Sequence, residues 1–336
     1  MPEGSSRRRK VHVHIKNNRA GEVQFRMTAE RYAEAAARHP EVARRIDATI
    51  AFDLDDFDAS MRTAEALVTW DLPTDDLARR APMLKWIHVI GAGIEHLQPL
   101  DWLPPGVTLI NNSGVHAPKC GEWGLMAVLM LNNAMPALMT HQREARYEPI
   151  YSTPVAGKTL GIIGVGQMGG AVARRVRPLG VRVIGVRRHG RPARHVDRMY
   201  GIDGIDTVLA EADFVLVTTP LTDETRNLID RRRLGLMKPG AGLINISRAQ
   251  VVDYEALADG LRAGAIGGAM LDVFDPEPLP PTSPLWSVPN LIMTPHVSSD
   301  DDSAYAPLTL DLFFENMAHH LDGRPLKNRV RPKLGY

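Results

Sequence analysis

The sequence has one cysteine and almost no net charge, and each shortage excludes a class of protein. The single cysteine, Cys120, rules out a disulfide framework and a cysteine-rich zinc site, and we interpret it as a small buried hydrophobic residue. A formal net charge of +1 over 336 residues offers no bulk attraction to nucleic acid or to a membrane surface. We therefore expect no nucleic-acid partner, no membrane partner and no metal site. With 44% hydrophobic residues, the chain is long enough for two packed domains.

Long hydrophobic runs are also missing. The longest, residues 125–131, ends at Asn132 and is far shorter than the roughly 20 residues that a membrane-spanning helix needs. Basic side chains crowd the N-terminus from Arg7 to Lys10, but no apolar run follows them, so we predict a disordered tail at 1–10 and no signal peptide. Together these features predict a soluble, cytoplasmic protein.

Short apolar runs alternate with helical patterns along the rest of the chain. In the first part we predict helices near 29–37 and 75–80, and strands at 11–15, 49–52, 66–69, 86–90 and 107–110. In the second part we predict strands at 160–163, 181–186, 214–218, 242–246, 267–271 and 291–293. This βαβ spacing predicts an α/β protein with two doubly wound, mainly parallel sheets.

The two sets of strands predict two domains. The second domain covers 114–303, and the first covers 11–113 together with 304–336, whose helical pattern would pack back on it. Between the two sets of strands, residues 121–139 are apolar on all sides, which predicts one helix buried between domains or between subunits.

A glycine-rich turn follows the strand predicted at 160–163. Gly164 allows a tight turn, Gly166 lets the backbone approach a pyrophosphate without a Cβ in the way, and Gly169 allows a helix to pack close to the strand. The helix that follows would direct its free N–H groups at the phosphates. The alternative is a turn shaped by packing alone, but the full strand and helix context favours dinucleotide binding.

Charged residues follow three strands of the second sheet. Arg248 follows the strand at 242–246, Asp272 and Glu277 follow the next, and His296 follows the last. Because ligands of open α/β sheets bind at the carboxyl ends of the strands, these side chains can converge over one cleft. Taken singly, Arg248 could form a surface salt bridge, Glu277 could be solvated, and His296 could be a capping residue. Their combination beside a dinucleotide turn favours an active site.

From 11 to 336 the chain resembles the D-isomer-specific 2-hydroxyacid dehydrogenases. The resemblance rests on the motifs NISRAQVVD from Asn245, LDVFDPEP from Leu271 and TPH from Thr294. It implies a flavodoxin-like substrate domain, a Rossmann cofactor domain and an NAD(P)-dependent oxidoreductase. One departure is Ala249, where the family usually has glycine, and it removes no reacting group.

The resemblance also assigns catalytic and substrate-binding roles. It implies that Arg248 binds the substrate carboxylate and carbonyl, that His296 is the acid/base, and that Glu277 orients His296 and favours its protonated form. The backbone N–H groups of Ala92 and Gly93 would bind the same carboxylate, with an ordinary strand-end turn as the alternative.

The implied cofactor-binding set consists of the glycine turn, the helix after it and residues at four strand ends: Gly164, Gly166, Gln167, Met168, Gly169, Arg187, Arg188, Thr219, Pro220, Ser247 and Asp272. Asp272 would face the nicotinamide carboxamide. Members that prefer NAD have an acid at the end of the strand after the glycine turn, whereas this chain has Arg187 and Arg188. Because arginine pairs with a 2′-phosphate, we predict NADP as the preferred cofactor, with NAD possible. The alternative is a charge run that merely faces solvent.

The substrate is less constrained. The C-terminal ending at Tyr336, the segment around Trp286 and the lack of an added regulatory domain resemble glyoxylate and hydroxypyruvate reductases. Trp70 follows a strand of the first domain and either lines the substrate pocket or belongs to the core. Formate dehydrogenases have a glutamine at the position of Glu277 and phosphonate dehydrogenases have a lysine at that of Ala92, which disfavours both.

Two further expectations come from the resemblance. The alternative function is that of corepressors in the superfamily, which sense the cofactor with little turnover, although this chain lacks their long extra tail. The apolar segment at 121–139 resembles the dimer-forming segment of the family, and we therefore expect a homodimer.

Overall fold

The computed structural model describes residues 9–334, apart from the side chain of Lys333. Most of the predicted N-terminal tail, residues 1–8, and the ending at Tyr336 lie outside the described residues. The described chain forms two compact units. The first unit runs to His116 and resumes at Asp301, and the second runs from Ala117 to Asp300.

The first unit contains a five-stranded parallel sheet in the order β2-β1-β3-β4-β5, which is the flavodoxin-like order. Its strands are β1 Val11–Asn17, β2 Ile46–Phe52, β3 Ala66–Thr69, β4 Trp86–Val89 and β5 Thr108–Ile110. Its helices are α1 Ala29–Arg38, α2 Pro40–Ala43, α3 Phe57–Met61, α4 Leu77–Arg80 and the C-terminal α11 Tyr305–Leu321.

Apolar side chains from the sheet and from α11 fill the core of the first unit. Trp86 on β4 is fully buried and stacks on Phe313 of α11 with ring centroids 5.7 Å apart. The C-terminal helix also packs along α1, whose N-terminus is capped by Thr28. The helix near the end of the chain is therefore part of the first unit.

The second unit contains a seven-stranded parallel sheet in the order β12-β11-β10-β9-β6-β7-β8, a Rossmann order extended by one strand. Its strands are β6 Thr159–Ile163, β7 Arg182–Val186, β8 Arg198–Tyr200, β9 Phe214–Val217, β10 Gly242–Asn245, β11 Gly268–Leu271 and β12 Leu291–Met293. Its helices are α5 Ala117–Asn132, α6 Met135–Arg143, α7 Gln167–Val176, α8 Ile205–Glu211, α9 Arg231–Leu234 and α10 Tyr254–Arg262. The predicted fold class, two doubly wound parallel sheets, is confirmed.

The prediction of one helix over 121–139 is wrong. The segment forms α5 and α6, which meet at an angle of 67°. The break has a local cause, because Ala134 has a left-handed φ of 51° and Pro136 lies in the first turn of α6, where its ring could not continue α5. Within residues 9–334 no single helix is long and apolar enough to cross a membrane, and only this bent pair together has the required length and composition.

Helix α5 packs tightly on α7 with one face only. A Cβ at Gly124 would lie 2.3 Å from Val172 of α7, so glycine is required for this close approach. Cys120 is fully buried on the same helix, as predicted, and burial raises the pKa of its thiol to about 12. On the other side of α5 Met126 is 40% exposed, so the segment is not buried all round within the described chain.

Candidate active site

The glycine turn lies where the strand order of the second unit reverses, between β6 and its neighbour β9. Gly164 has a φ of 100°, and a Cβ there would lie 2.7 Å from the backbone nitrogen of Thr219. Both the backbone conformation and the space therefore require glycine. A Cβ at Gly169 would lie 2.8 Å from Ile162, so this glycine lets α7 pack on β6.

The residues around the turn fit a dinucleotide phosphate group. A Cβ at Gly166 would meet nothing within 4 Å, which leaves open space in front of the first turn of α7. None of the described side chains caps this N-terminus, so its N–H groups are available to an anion. In addition, Thr219 Oγ1 is buried and has no hydrogen-bond partner within the described chain. A phosphate oxygen would satisfy these donors.

The two arginines after β7 already have partners in this structure. Arg187 donates a hydrogen bond of 2.7 Å to the carbonyl oxygen of Pro192. Arg188 forms an ion pair of 2.8 Å with Glu224, whose side chain is 60% exposed. Sequence reasoning missed Glu224, because no local pattern links residues that far apart. The pair is held at the protein surface, where such pairs contribute little and can be exchanged for a stronger anion.

A carboxylate and an imidazole meet after β11 and β12. His296 Nδ1 lies 2.8 Å from Glu277 Oε2, and the other carboxylate oxygen accepts a 2.7 Å hydrogen bond from the backbone N–H of Phe274. Because a carboxylate only accepts hydrogen bonds, His296 Nδ1 donates. This contact fixes the ring orientation and leaves Nε2 as the nitrogen that can exchange a proton with a ligand.

Asp272 holds the loop that carries His296. The residue is fully buried, and its carboxylate accepts hydrogen bonds from Thr294 Oγ1 at 2.6 Å, Val297 N at 2.9 Å and Ser298 N at 3.0 Å. The N–H of His296 donates to the Asp272 carbonyl oxygen at 2.8 Å. His296 adopts a left-handed φ of 53°, an uncommon conformation that these bonds stabilise. Contact of Asp272 with the cofactor stays a prediction.

Arg248 follows β10, and hydrogen bonds of Asn245 hold the backbone at this position. Asn245 donates a 3.1 Å hydrogen bond to the carbonyl oxygen of Arg248 and accepts from Ser247 Oγ at 2.8 Å. Asn245 also donates to the Tyr254 hydroxyl, whose pKa is raised by burial. Ala249, where the family usually has glycine, is accommodated as a buried residue. The roles of Asn245 and Tyr254 were not predicted, although Asn245 is the first residue of the motif that contains Arg248.

In the first unit, the structure brings Trp70 to the turn that contains Ala92 and Gly93. Trp70 follows β3 and is 42% exposed, so the alternative that it belongs to the core is wrong. Asn111 Nδ2 holds the carbonyl oxygen of Ala92 at 2.8 Å. Within residues 9–334, the N–H groups of Ala92 and Gly93 donate no hydrogen bond. They are therefore available to a ligand.

The strand ends of the second unit define the class of protein. A dinucleotide turn, a guanidinium and a carboxylate–imidazole pair share one edge of a Rossmann sheet, an arrangement of NAD(P)-dependent oxidoreductases. The family follows from comparison with known proteins. Residues 125–298 match the family model of the D-isomer specific 2-hydroxyacid dehydrogenase, NAD binding domain, and this chain belongs to that family.

Individual relatives align with most of the chain. Glyoxylate/hydroxypyruvate reductase B of Pectobacterium carotovorum is 35% identical over 292 residues, which cover 82% of this chain and 88% of that protein. A D-isomer specific 2-hydroxyacid dehydrogenase of Xanthobacter autotrophicus, solved with NADPH and MES, has a TM-score of 0.81 and 29% identity over 96% of this chain and 99% of its own. An NADPH-dependent glyoxylate/hydroxypyruvate reductase of Sinorhizobium meliloti, solved with NADP and sulfate, has a TM-score of 0.79 and 26% identity over 97% of this chain and 100% of its own.

Proposed function

We propose that this chain reduces a small 2-oxo acid of the glyoxylate or hydroxypyruvate type to the D-2-hydroxy acid, with NADPH as the preferred reductant. The observation that carries the proposal is the Glu277–His296 pair at the sheet edge that also holds Arg248 and the glycine turn. The names of the Pectobacterium and Sinorhizobium relatives support the substrate class. The comparisons do not support the alternative of a cofactor-sensing binding protein.

In the proposed reaction, different residues bind the cofactor and deliver the proton. Gly166, the first turn of α7 and Thr219 would hold the cofactor phosphates. The bound nicotinamide supplies the hydride that the carbon of the 2-oxo group needs. His296 holds the proton on Nε2 and delivers it to the carbonyl oxygen, while Glu277 stabilises the charged imidazole and keeps the ring in place.

The substrate's negative charge needs its own partners. Arg248 presents a planar fork that can bind two oxygens of the 2-oxo acid at once. In the first unit, the N–H groups of Ala92 and Gly93 form a second carboxylate-binding element, and Trp70 lies beside it. A backbone donor pair binds an oxyanion without the entropy cost of ordering a long side chain.

A His296→Ala variant tests the acid/base assignment. Removing the proton donor should lower kcat by about 10²- to 10⁴-fold and leave the dissociation constant for NADPH near the wild-type value. Steady-state rates and fluorescence titration of NADPH measure the two quantities. A variant with wild-type kcat would place the proton donor elsewhere.

The cofactor preference rests on Arg187 and Arg188. A 2′-phosphate, which carries more charge than a carboxylate, would take Arg188 from Glu224 and would also attract Arg187. Solved relatives from Xanthobacter and Sinorhizobium that contain NADPH or NADP support this preference. Replacing both arginines by alanine should lower kcat/KM for NADPH by at least about tenfold and change that for NADH little. An NADH value equal to the NADPH value in the wild type would contradict the proposal.

We also propose that the protein is a homodimer. The segment after α6 is exposed and carries two large aromatic side chains, Tyr147, which is fully exposed, and Tyr151, which is 91% exposed. Met126 on α5 and Met139 on α6 add half-exposed apolar surface. Apolar groups of this size are usually covered in an interface. Light scattering should give twice the chain mass, and a monomer mass would reject the dimer.

A further inference from the structure

Trp70 is held by one neighbour through two separate contacts. The imidazole of His96 stacks on the indole with ring centroids 4.0 Å apart and planes inclined by 12°. His96 Nε2 also lies 2.8 Å from the carbonyl oxygen of Trp70, and because a carbonyl only accepts, this nitrogen donates. A single histidine therefore fixes both the ring and the backbone of a tryptophan that is 42% exposed.

The indole is fixed on a second side by Gly91. A Cβ at Gly91 would lie 2.4 Å from Cζ3 of Trp70 and 3.2 Å from Cε3, so the edge of the six-membered ring rests directly on the glycine backbone. Any larger residue at position 91 would displace the ring. Between Gly91 and His96, the indole has a defined orientation although much of its surface is open.

Gly91 is also the residue that begins the carboxylate-binding turn. The N–H groups of the next two residues, Ala92 and Gly93, donate no hydrogen bond within residues 9–334, and Asn111 holds the turn through the Ala92 carbonyl oxygen. A 2-oxo acid bound there by its carboxylate has its reacting carbon one bond further out. The substituent on that carbon then lies within the range of the neighbouring indole.

We infer that His96 is a positioning residue for substrate selection, because it holds Trp70 as a rigid wall that limits the group attached to the carbonyl carbon of the 2-oxo acid. The inference rests on the proposed function. A flat, apolar indole tolerates a hydrogen, a methyl or a hydroxymethyl group. A ring in that position would meet the fixed indole, and the indole offers no partner to a second carboxylate, which would lose hydration there.

If His96 positions Trp70, its loss should affect small and large substrates differently. A residue that only stabilises the fold would affect both substrates alike. Glyoxylate carries only hydrogen on its carbonyl carbon, so the wall has little influence on it, whereas phenylpyruvate carries a ring that meets the wall. The measured quantity is the ratio of kcat/KM for phenylpyruvate to that for glyoxylate. Loss of His96 should release the indole and raise this ratio.

The test uses three substitutions at position 96 and one at position 70. His96→Ala should raise the ratio about tenfold, the range of discrimination that pocket shape usually gives. His96→Phe, which can still stack, should restore a ratio near the wild-type value, and His96→Gln, which keeps only a donor, should resemble His96→Ala. Trp70→Ala, which removes the wall itself, should raise the ratio at least as much.

A second stacked histidine of the first unit provides the matched control. His39 stacks on Phe314 with centroids 5.2 Å apart and planes inclined by 10°, on α11 and away from the strand ends. His39→Ala should lower the melting temperature without changing the ratio. If His96→Ala lowers kcat/KM equally for both substrates, His96 has only a structural role. This result would overturn the inference, while the proposed function would stand. A wild-type protein that reduces no 2-oxo acid would overturn both.

Discussion

Asp272 holds the loop that carries His296, the predicted acid/base residue. Its two buried oxygens accept three hydrogen bonds from the segment between Thr294 and Ser298, and its carbonyl oxygen accepts the N–H of His296. A left-handed backbone is uncommon for a residue other than glycine, and these hydrogen bonds hold His296 in that conformation.

An Asp272→Asn substitution should therefore damage the loop. The amide has one acceptor oxygen, and its NH₂ group would face backbone N–H groups, so at least one buried donor loses its partner. We expect the free energy of unfolding to fall by about 1–3 kcal/mol and kcat to fall with it. Urea unfolding and steady-state rates measure both.

Asp275→Asn is the matched control for this prediction. Asp275 lies three residues away, is exposed, and accepts a 2.7 Å hydrogen bond from Gln250. Removing its charge should change stability by no more than about 0.5 kcal/mol. If the two variants behave alike, the buried contacts of Asp272 do not hold the loop.

At the scale of elements, two glycines near the start of α7, Gly166 and Gly170, should respond differently to substitution by alanine. Gly166 and Gly170 both have open space where a Cβ would stand, so alanine at either position should leave the fold intact. Gly170→Ala should be neutral or slightly stabilising, since alanine favours helix by about 0.5–1 kcal/mol over glycine. Gly166→Ala should weaken NADPH binding by about tenfold or more, because the methyl enters the space assigned to phosphate.

Titration of NADPH against both variants measures this difference. Their melting temperatures show whether each keeps the fold. Equal affinity in the Gly166→Ala and Gly170→Ala variants would mean that the phosphates do not approach Gly166.

Two strands of the first sheet carry buried histidines, and these predict how stability depends on pH. Burial lowers the pKa of His14 on β1 and of His88 on β4 to about 4 in each case, with His12 and Lys16 also lowering that of His14. Both are neutral when folded near pH 7, while an unfolded histidine takes up a proton below about pH 6.5. The free energy of unfolding should therefore decrease as pH falls from 6.5 to 4, by up to about 3 kcal/mol per histidine, with no further contribution below pH 4.

Urea unfolding at several pH values between 7 and 4 tests this slope. His88→Gln should remove about half of the decrease, since one of the two protonation sites is lost. A wild-type stability that stays constant over this range would mean that the two imidazoles are not neutral and buried in solution.

Much of the order of strands and helices is predictable because buried parallel strands appear in the sequence as short apolar runs. The strands at 66–69 and 291–293 were predicted with their observed limits. Strand β8 was missed because its sequence, Arg-Met-Tyr, contains no apolar run. The break between α5 and α6 depends on Pro136 and on the backbone of Ala134, which composition alone does not reveal. Contacts such as Arg188 with Glu224 join distant segments and require the fold.

For the whole molecule, sequence motifs predict the family and the residues that meet at the strand ends, because the topology of a Rossmann sheet brings those ends together. The contact between Glu277 and His296 is present in the structure, and their catalytic roles stay predictions. Trp70 and the surface around it, on which the proposed substrate selection rests, belong to no motif.

The most direct test of the central claim is turnover by the purified protein. The loss of nicotinamide absorbance is followed with NADPH or NADH as the reductant and with glyoxylate, hydroxypyruvate, pyruvate and phenylpyruvate as substrates. We predict the highest kcat/KM for glyoxylate or hydroxypyruvate with NADPH, and a lower value with NADH. Protein that binds NADPH but consumes none with any of the four acids would contradict the account and favour a cofactor-sensing role.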